Sequence, residues 1–209
     1  FRKNTIEGLR QPMEDGVVTI SRAVQTLSFP ARFTLVCAQN PCPCGHLGDL
    51  RRPCICSDAQ LHRYRSHLSG PLLDRIDIQI EVPAVPYTEL GDSRRGEKSA
   101  AVLDRVLQAR ERQKERFLGT RVHCNAQMST RDLSAACPLS KENRVFLQQI
   151  AERLGLSARA YHRVLKIART IADLAHATEI SMVHLAEAVQ YRSLDRNRVE
   201  APANLPRGV

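Results

Sequence analysis

No apolar run in the 209 residues approaches the roughly 20 that a membrane-spanning helix needs. No membrane partner is expected. A secretory leader pattern is also lacking, and the sequence opens on Phe1 rather than methionine, so Phe1 is expected to be an internal start. There is no G-x-x-x-x-G-K-[ST] and no apolar run closing on Asp-Glu. A loop of that kind, which cradles a nucleotide's phosphates, and paired carboxylates to hold its magnesium are not legible in it, so any nucleotide site in this sequence is expected to be incomplete. No internal repeat is present. Acidic residues are in short supply: 22 Asp and Glu face 31 Lys and Arg, a formal charge of +9. That balance favours polyanionic partners such as nucleic acid or nucleotide phosphates, with a solvated basic surface as the plainer alternative.

What is present is ordinary for a globular protein of one domain or two small ones, with 43% hydrophobic and 25% charged residues. Seven cysteines make an odd count, and four of them fall between 42 and 56. Reduced thiols or a metal site in a cytoplasmic protein fit that pattern better than a disulfide framework.

The pattern along the chain is α/β followed by mainly α. Residues 1–83 carry the α/β part. A short helix reaching Leu9 should stop before Pro12, and Asp15-Gly16 is a turn signal. Val17 to Ser21 and Gln25 to Phe29 are β-prone runs around a short tip, a hairpin pattern with Arg22 near its end. Phe33 to Ala38 is nearly continuous apolar sequence, as in a strand covered on both faces of a parallel sheet, with Cys37 packed inside. Ile76, Ile78, Ile80 and Val82 alternate with polar residues, predicting a half-buried strand. Residues 84–98 read as a linker and 99–195 as helical. Leu103, Val106, Leu107 and Arg110 mark one helix. Ser140, Ser157 and Ser181 are placed to cap three more, the first running to Leu154 before Gly155. Tyr161, Val164, Leu165, Ala168, Ile171, Ala172 and Ala175 form the apolar stripe of the middle one. Residues 196–209 have no periodicity and are expected to be a disordered tail.

Five features carry chemistry. Asn40 ends the apolar run where α/β folds place ligands, and an amide there can orient a water against a phosphate; a simple Asn-Pro turn is the alternative. Arg75 follows a Pro-containing turn, so it is either half of a local pair with Asp74 or a guanidinium presented to a neighbour's nucleotide. Arg159, His162, Arg163, Lys166 and Arg169 read as a basic face opposite the apolar stripe. That face is either solvated or brings Arg159, in the first helical turn, to a nucleotide. Cys42, Cys44, Cys54 and Cys56 form two C-x-C pairs that either close a tetrahedral zinc site, with His46 able to replace one thiol, or remain free or redox-active thiols. Arg22 is placed to touch a nucleic-acid backbone, unless the hairpin is only a sheet element.

Several blocks together resemble one family. They are Glu7 to Gly16, Ile20 to Arg22, Phe29 to Phe33, Asn40 to Gly45, Tyr64-Arg65, Ser69 to Asp77, Gly155 to Arg163, Ala168 to Leu174 and Glu187 to Arg192. The sequence resembles the Mg-chelatase-like AAA+ ATPases, and within them the ComM/YifB type, over nearly its whole length except residues 84–98 and the tail. The resemblance implies the second half of an AAA+ parallel-sheet core plus a C-terminal helical lid. It implies Asn40 as the sensor-1 residue, Arg75 as an arginine finger acting across a subunit boundary, and Arg159 as the sensor-2 arginine with Arg163 as the substitute. Residues 17–29 would be the presensor-1 hairpin. The Asp-Glu pair missing here would lie just upstream of Phe1.

By the same resemblance the parent protein would be a hexameric ring ATPase using ATP and Mg2+, with a helicase-type, branch-migrating action on DNA in DNA processing or natural transformation. The residues present would bind ATP weakly or not at all by themselves. Two other functions stand beside this one. The first is a magnesium-chelatase-type motor subunit that remodels a protein partner. The second is a zinc-stabilised, non-enzymatic binding fragment.

Overall fold

The computed structural model describes residues 2–23, 25–49, 51–83, 85 and 96–192. The tail expected at 196–209 and most of the linker expected at 84–98 lie outside these residues. The chain divides into two compact units, residues 1–76 and 77–209.

The first unit opens with α1 (Lys3–Glu7) and α2 (Arg10–Asp15). The helix expected to stop before Pro12 stops earlier, at Glu7. Pro12 instead sits in the first turn of α2, where its missing N–H costs no helical bond. Gly16 ends α2 at φ 65°, a conformation that suits a residue without Cβ, and its carbonyl accepts from the Ala31 N–H at 2.8 Å. That bond closes the base of the expected hairpin, β1 (Val17–Arg22) antiparallel to β2 (Gln25–Pro30). The Arg22–Gln25 pair is its last, so Arg22 does stand at the tip. Pairing puts Thr19 opposite Ser28 and Ser21 opposite Thr26, with each hydroxyl pair 3.0 Å apart, on one face. Val18, Ile20, Leu27 and Phe29 share the other face, and all are exposed.

The strand expected at Phe33 to Ala38 does not form. These residues carry no ladder pairing; Val36 is 89% exposed and Cys37 is exposed rather than packed. An apolar run becomes a strand only when neighbours supply its hydrogen bonds, and the hairpin is the sole sheet among the described residues. The parallel sheet is thus not assembled here. Two short helices complete the unit: α3 (Asp58–Arg65), closed by a Ser57–Gln60 capping box, and α4 (Gly70–Leu73), capped by Ser69. Among its described residues only Cys42 and Leu72 are buried apolar side chains.

The second unit holds the core. It comprises α5 (Ser99–Arg116), α6 (Thr130–Ala136), α7 (Lys141–Arg153), α8 (Ala158–Leu174) and α9 (Met182–Gln190), with a 3-10 turn at Asn125–Gln127. The three helices expected after Ser140, Ser157 and Ser181 are all present. Helix α8 is central and packs against α5, α6 and α9. Its stripe residues Val164, Leu165, Ala168 and Ala172 join Leu147, Leu185 and Ala188 in one buried cluster. Each large aliphatic side chain so buried contributes about 1.5–3 kcal/mol. Helices α7 and α8 end in the same way. The Leu156 N–H reaches the Ala151 carbonyl past a left-handed Gly155, and the Ala177 N–H reaches the Ala172 carbonyl past a left-handed His176.

The strand expected over Ile76 to Val82 is reduced to one parallel bridge, Gln79 to Arg192, with the Gln79 N–H donating to the Tyr191 carbonyl at 2.7 Å. The expected faces are inverted. Gln79 is buried while Ile78, Ile80 and Val82 are exposed, as the bond to the Tyr191 carbonyl draws Gln79 inward. The basic face also needs correction. Arg169 is buried, with its Nε 3.1 Å from Asp173 Oδ1 and its other nitrogens on the carbonyls of Ala177 and Thr178. Its spacing of four from Leu165 and three from Ala172 places it at the border of the stripe, from which its long side chain turns inward.

Candidate metal centre and arginine sites

Residues 41–56 bring the four expected cysteines together. Gly45 and Gly48, at φ 81° and 84°, let the chain turn back on itself, and the Gly45 N–H donates to the Cys42 carbonyl at 3.0 Å. Between Cys54 and Cys56 the side chain of Ile55 is 83% exposed, consistent with alternation that turns both thiols the other way. The sulfurs of Cys42 and Cys44 are 3.3 Å apart. Cys54 Sγ lies 3.7 Å from Cys42 and 3.6 Å from Cys44, and all four sulfurs fall within 4.8 Å of one another. A tetrahedron with Zn–S bonds near 2.3 Å has edges of about 3.8 Å, so both the donor set and the spacing fit zinc.

The thiols are electrostatically unequal. Backbone N–H groups of His46 and Ile55 lower Cys44 to about 6, while desolvation raises Cys56 to about 12. Four adjacent thiols cannot all ionise without a cation among them; a divalent metal would bring all four to thiolate. His46 faces Asp49 at 3.5 Å rather than joining the cluster. Among the described residues this is the only metal-capable group, and it contains no carboxylate suited to magnesium.

Asn40 stands exposed immediately before this loop. Arg75 follows α4, where Pro71 lies in the first helical turn and Ser69 Oγ accepts the Leu72 N–H at 3.3 Å. The Arg75 side chain is only 10% exposed. Its Nη1 donates to the Pro71 carbonyl at 2.7 Å, and its Nη2 pairs with Glu14 of α2. The local sequence offers Asp74 as a partner for Arg75, yet the carboxylate in the ion pair is sixty-one positions upstream, a distance that leaves no local signature.

Arg159 is exposed in the first turn of α8. One turn on, Arg163 is largely covered and pairs with Asp77, a partner the sequence does not announce. Lys166 donates to the Ala126 carbonyl at 2.9 Å. Asn40 and Arg75 thus belong to the first unit, and Arg159 and Arg163 to the second. Sequence reasoning missed one buried network. Asp173, fully buried, receives Arg116, Arg169 and the Asn125 amide on its two oxygens, and Asn125 also donates to Thr170 at 3.1 Å. The one sequence signal for it is the four-residue spacing of Arg169 and Asp173.

Two family models match. Residues 1–90 match the magnesium chelatase subunit ChlI, and residues 96–192 match the C-terminal part of that subunit. Competence protein ComM of Haemophilus influenzae is 46% identical over 200 residues, 94% of this chain and 38% of that protein. Two uncharacterised proteins named YifB, from Salmonella typhimurium and Escherichia coli, are each 42% identical over 198 residues, again 94% of this chain and 38% of the relative. The chain therefore spans about two fifths of the length of the curated relatives it matches.

Proposed function

Because the chain belongs to the Mg-chelatase-like AAA+ family, of the ComM/YifB type, we propose that it forms the C-terminal portion of an ATP-driven ring motor that moves branched DNA. The observation that carries this reading is the likeness to a competence protein across 94% of the chain. Residues 1–83 would complete a parallel-sheet core begun elsewhere in the protein, and 99–195 would form its helical lid. A second observation supports that division. The first unit has only two buried apolar side chains among its described residues, too few to stabilise 76 residues alone.

In the assembled ring, Asn40 would orient the attacking water. Arg75 would reach across to a neighbour's nucleotide and stabilise charge on the transferring phosphoryl group. Arg159, with Arg163 behind it, would report nucleotide to the lid, and Arg22 would touch the DNA backbone. ATP's phosphates and Mg2+ would be held by residues outside this sequence. Zinc on Cys42, Cys44, Cys54 and Cys56 would be structural, stapling the loop that follows Asn40.

The test uses the full-length protein with ATP, magnesium and a synthetic branched DNA, wild type beside Arg75→Ala. The expected result is ATP-dependent strand exchange by the wild type. The variant should keep ATP binding while hydrolysis falls about 10³-fold or more. The family's chelatase name favours one rival, a motor that remodels a protein partner. ATP hydrolysis without any movement of DNA would select it.

A further inference from the structure

We infer that Glu14 is a positioning residue for Arg75, holding the guanidinium in the orientation from which it meets a neighbouring subunit's nucleotide. This rests on the reading of Arg75 as the group that acts across the subunit boundary.

The geometry is that of a side chain fixed before use. A guanidinium has five N–H donors in a rigid planar fork. Here the Pro71 carbonyl takes one from Nη1 at 2.7 Å and the Glu14 carboxylate takes one from Nη2. These two acceptors stand on opposite sides of the problem: one is in the turn that carries Arg75, the other on a separate helix. Together they set both the tilt and the rotation of the plane. The Arg75 Nε–H is buried and meets no acceptor among the described residues. An unpaired buried donor is costly, and the contacts made by Nη1 and Nη2 hold the group in place despite that cost.

The placement of Glu14 points the same way. It sits in the last turn of α2, next to that helix's own carbonyl ends, where local electrostatics disfavours a carboxylate, and its ion pair with Arg75 offsets that cost. An arginine whose rotamer is already selected loses less entropy when it docks and is aimed where charge develops.

The experiment compares Glu14→Gln, Arg75→Ala and the double variant in the full-length protein. Steady-state ATP hydrolysis is scaled to the nucleotide sites titrated by ATP binding. Glu14→Gln is expected to lower kcat about 10- to 100-fold, as a misplaced catalytic group does. The KM for ATP should stay where it is, since the contact matters only in the transition state. The double variant should be no slower than Arg75→Ala alone, because both changes remove one function. Where Glu14→Gln does not fold, Glu14→Asp keeps the charge, shortens the reach and should still lower kcat. Wild-type kcat in the Glu14 variants beside an inactive Arg75→Ala overturns the inference and leaves the motor reading standing. A rise in KM with kcat unchanged also overturns it. Wild-type hydrolysis in Arg75→Ala overturns the inference and the finger assignment together.

Discussion

At the scale of single residues, Asp173 gathers a buried ionic network in the helical unit. Its two oxygens answer two guanidinium groups and one amide while fully buried, and the leftover positive charge of Arg169 is met by the carbonyls of Ala177 and Thr178 at the end of α8. Removing one partner of a buried ionic network strands the others without water. Asp173→Ala should therefore cost about 3–5 kcal/mol, read as a lowered denaturant midpoint for the second unit. A loss of only a few tenths would mean that the network contributes little. Asp173 also shows where sequence reading stops. Its partner four residues back lies within reach of a helical pattern, but Arg116 and Asn125 come from 57 and 48 positions away. Arg75 and Glu14 are the same case in the first unit.

At the scale of elements, legibility followed locality. Ser140 and Ser157 mark helix starts because a cap acts on N–H groups two or three residues away; the helix after Ser181 also begins where the serine stands, with the Ser181 N–H donating to His184 Nδ1. Gly155 is readable as a stop, whereas His176 adopts the same left-handed conformation with no glycine to announce it. The hairpin was legible because its two runs pair with each other. Phe33 to Ala38 and Ile76 to Val82 have strand composition, but strand formation is decided by distant neighbours. The cysteine loop was legible from spacing alone, since its four thiols lie within fifteen residues. Protein purified without chelator should carry about one zinc per chain, since four thiolates close one tetrahedral site. Cys44→Ser should release the metal. Metal-free protein with an intact first unit would remove the zinc proposal.

At the scale of the whole molecule, charge is the property that composition states most plainly. With 31 basic residues against 22 acidic, the DNA association proposed above should weaken linearly in log–log form as salt is raised, reflecting release of counterions from phosphates. Arg22, exposed at the hairpin tip, is expected to account for about one unit of that slope. Arg22→Ala should lower affinity by a similar factor on every DNA sequence, measured by titration at several salt concentrations. An unchanged slope would take Arg22 out of the interface.

The uncovered apolar segments have a practical consequence. Val36 and Val82 are more than four-fifths exposed, Ile80 is 66% exposed, and Phe33 and Ile78 are about half exposed. Phe33 to Ala38 also presents backbone groups that no ladder satisfies. Such segments are adhesive: left uncovered, each would pair edge to edge with copies of the chain. Expressed as these 209 residues, the chain should collect in inclusion bodies, and a fully soluble product would show that the segments find cover within it.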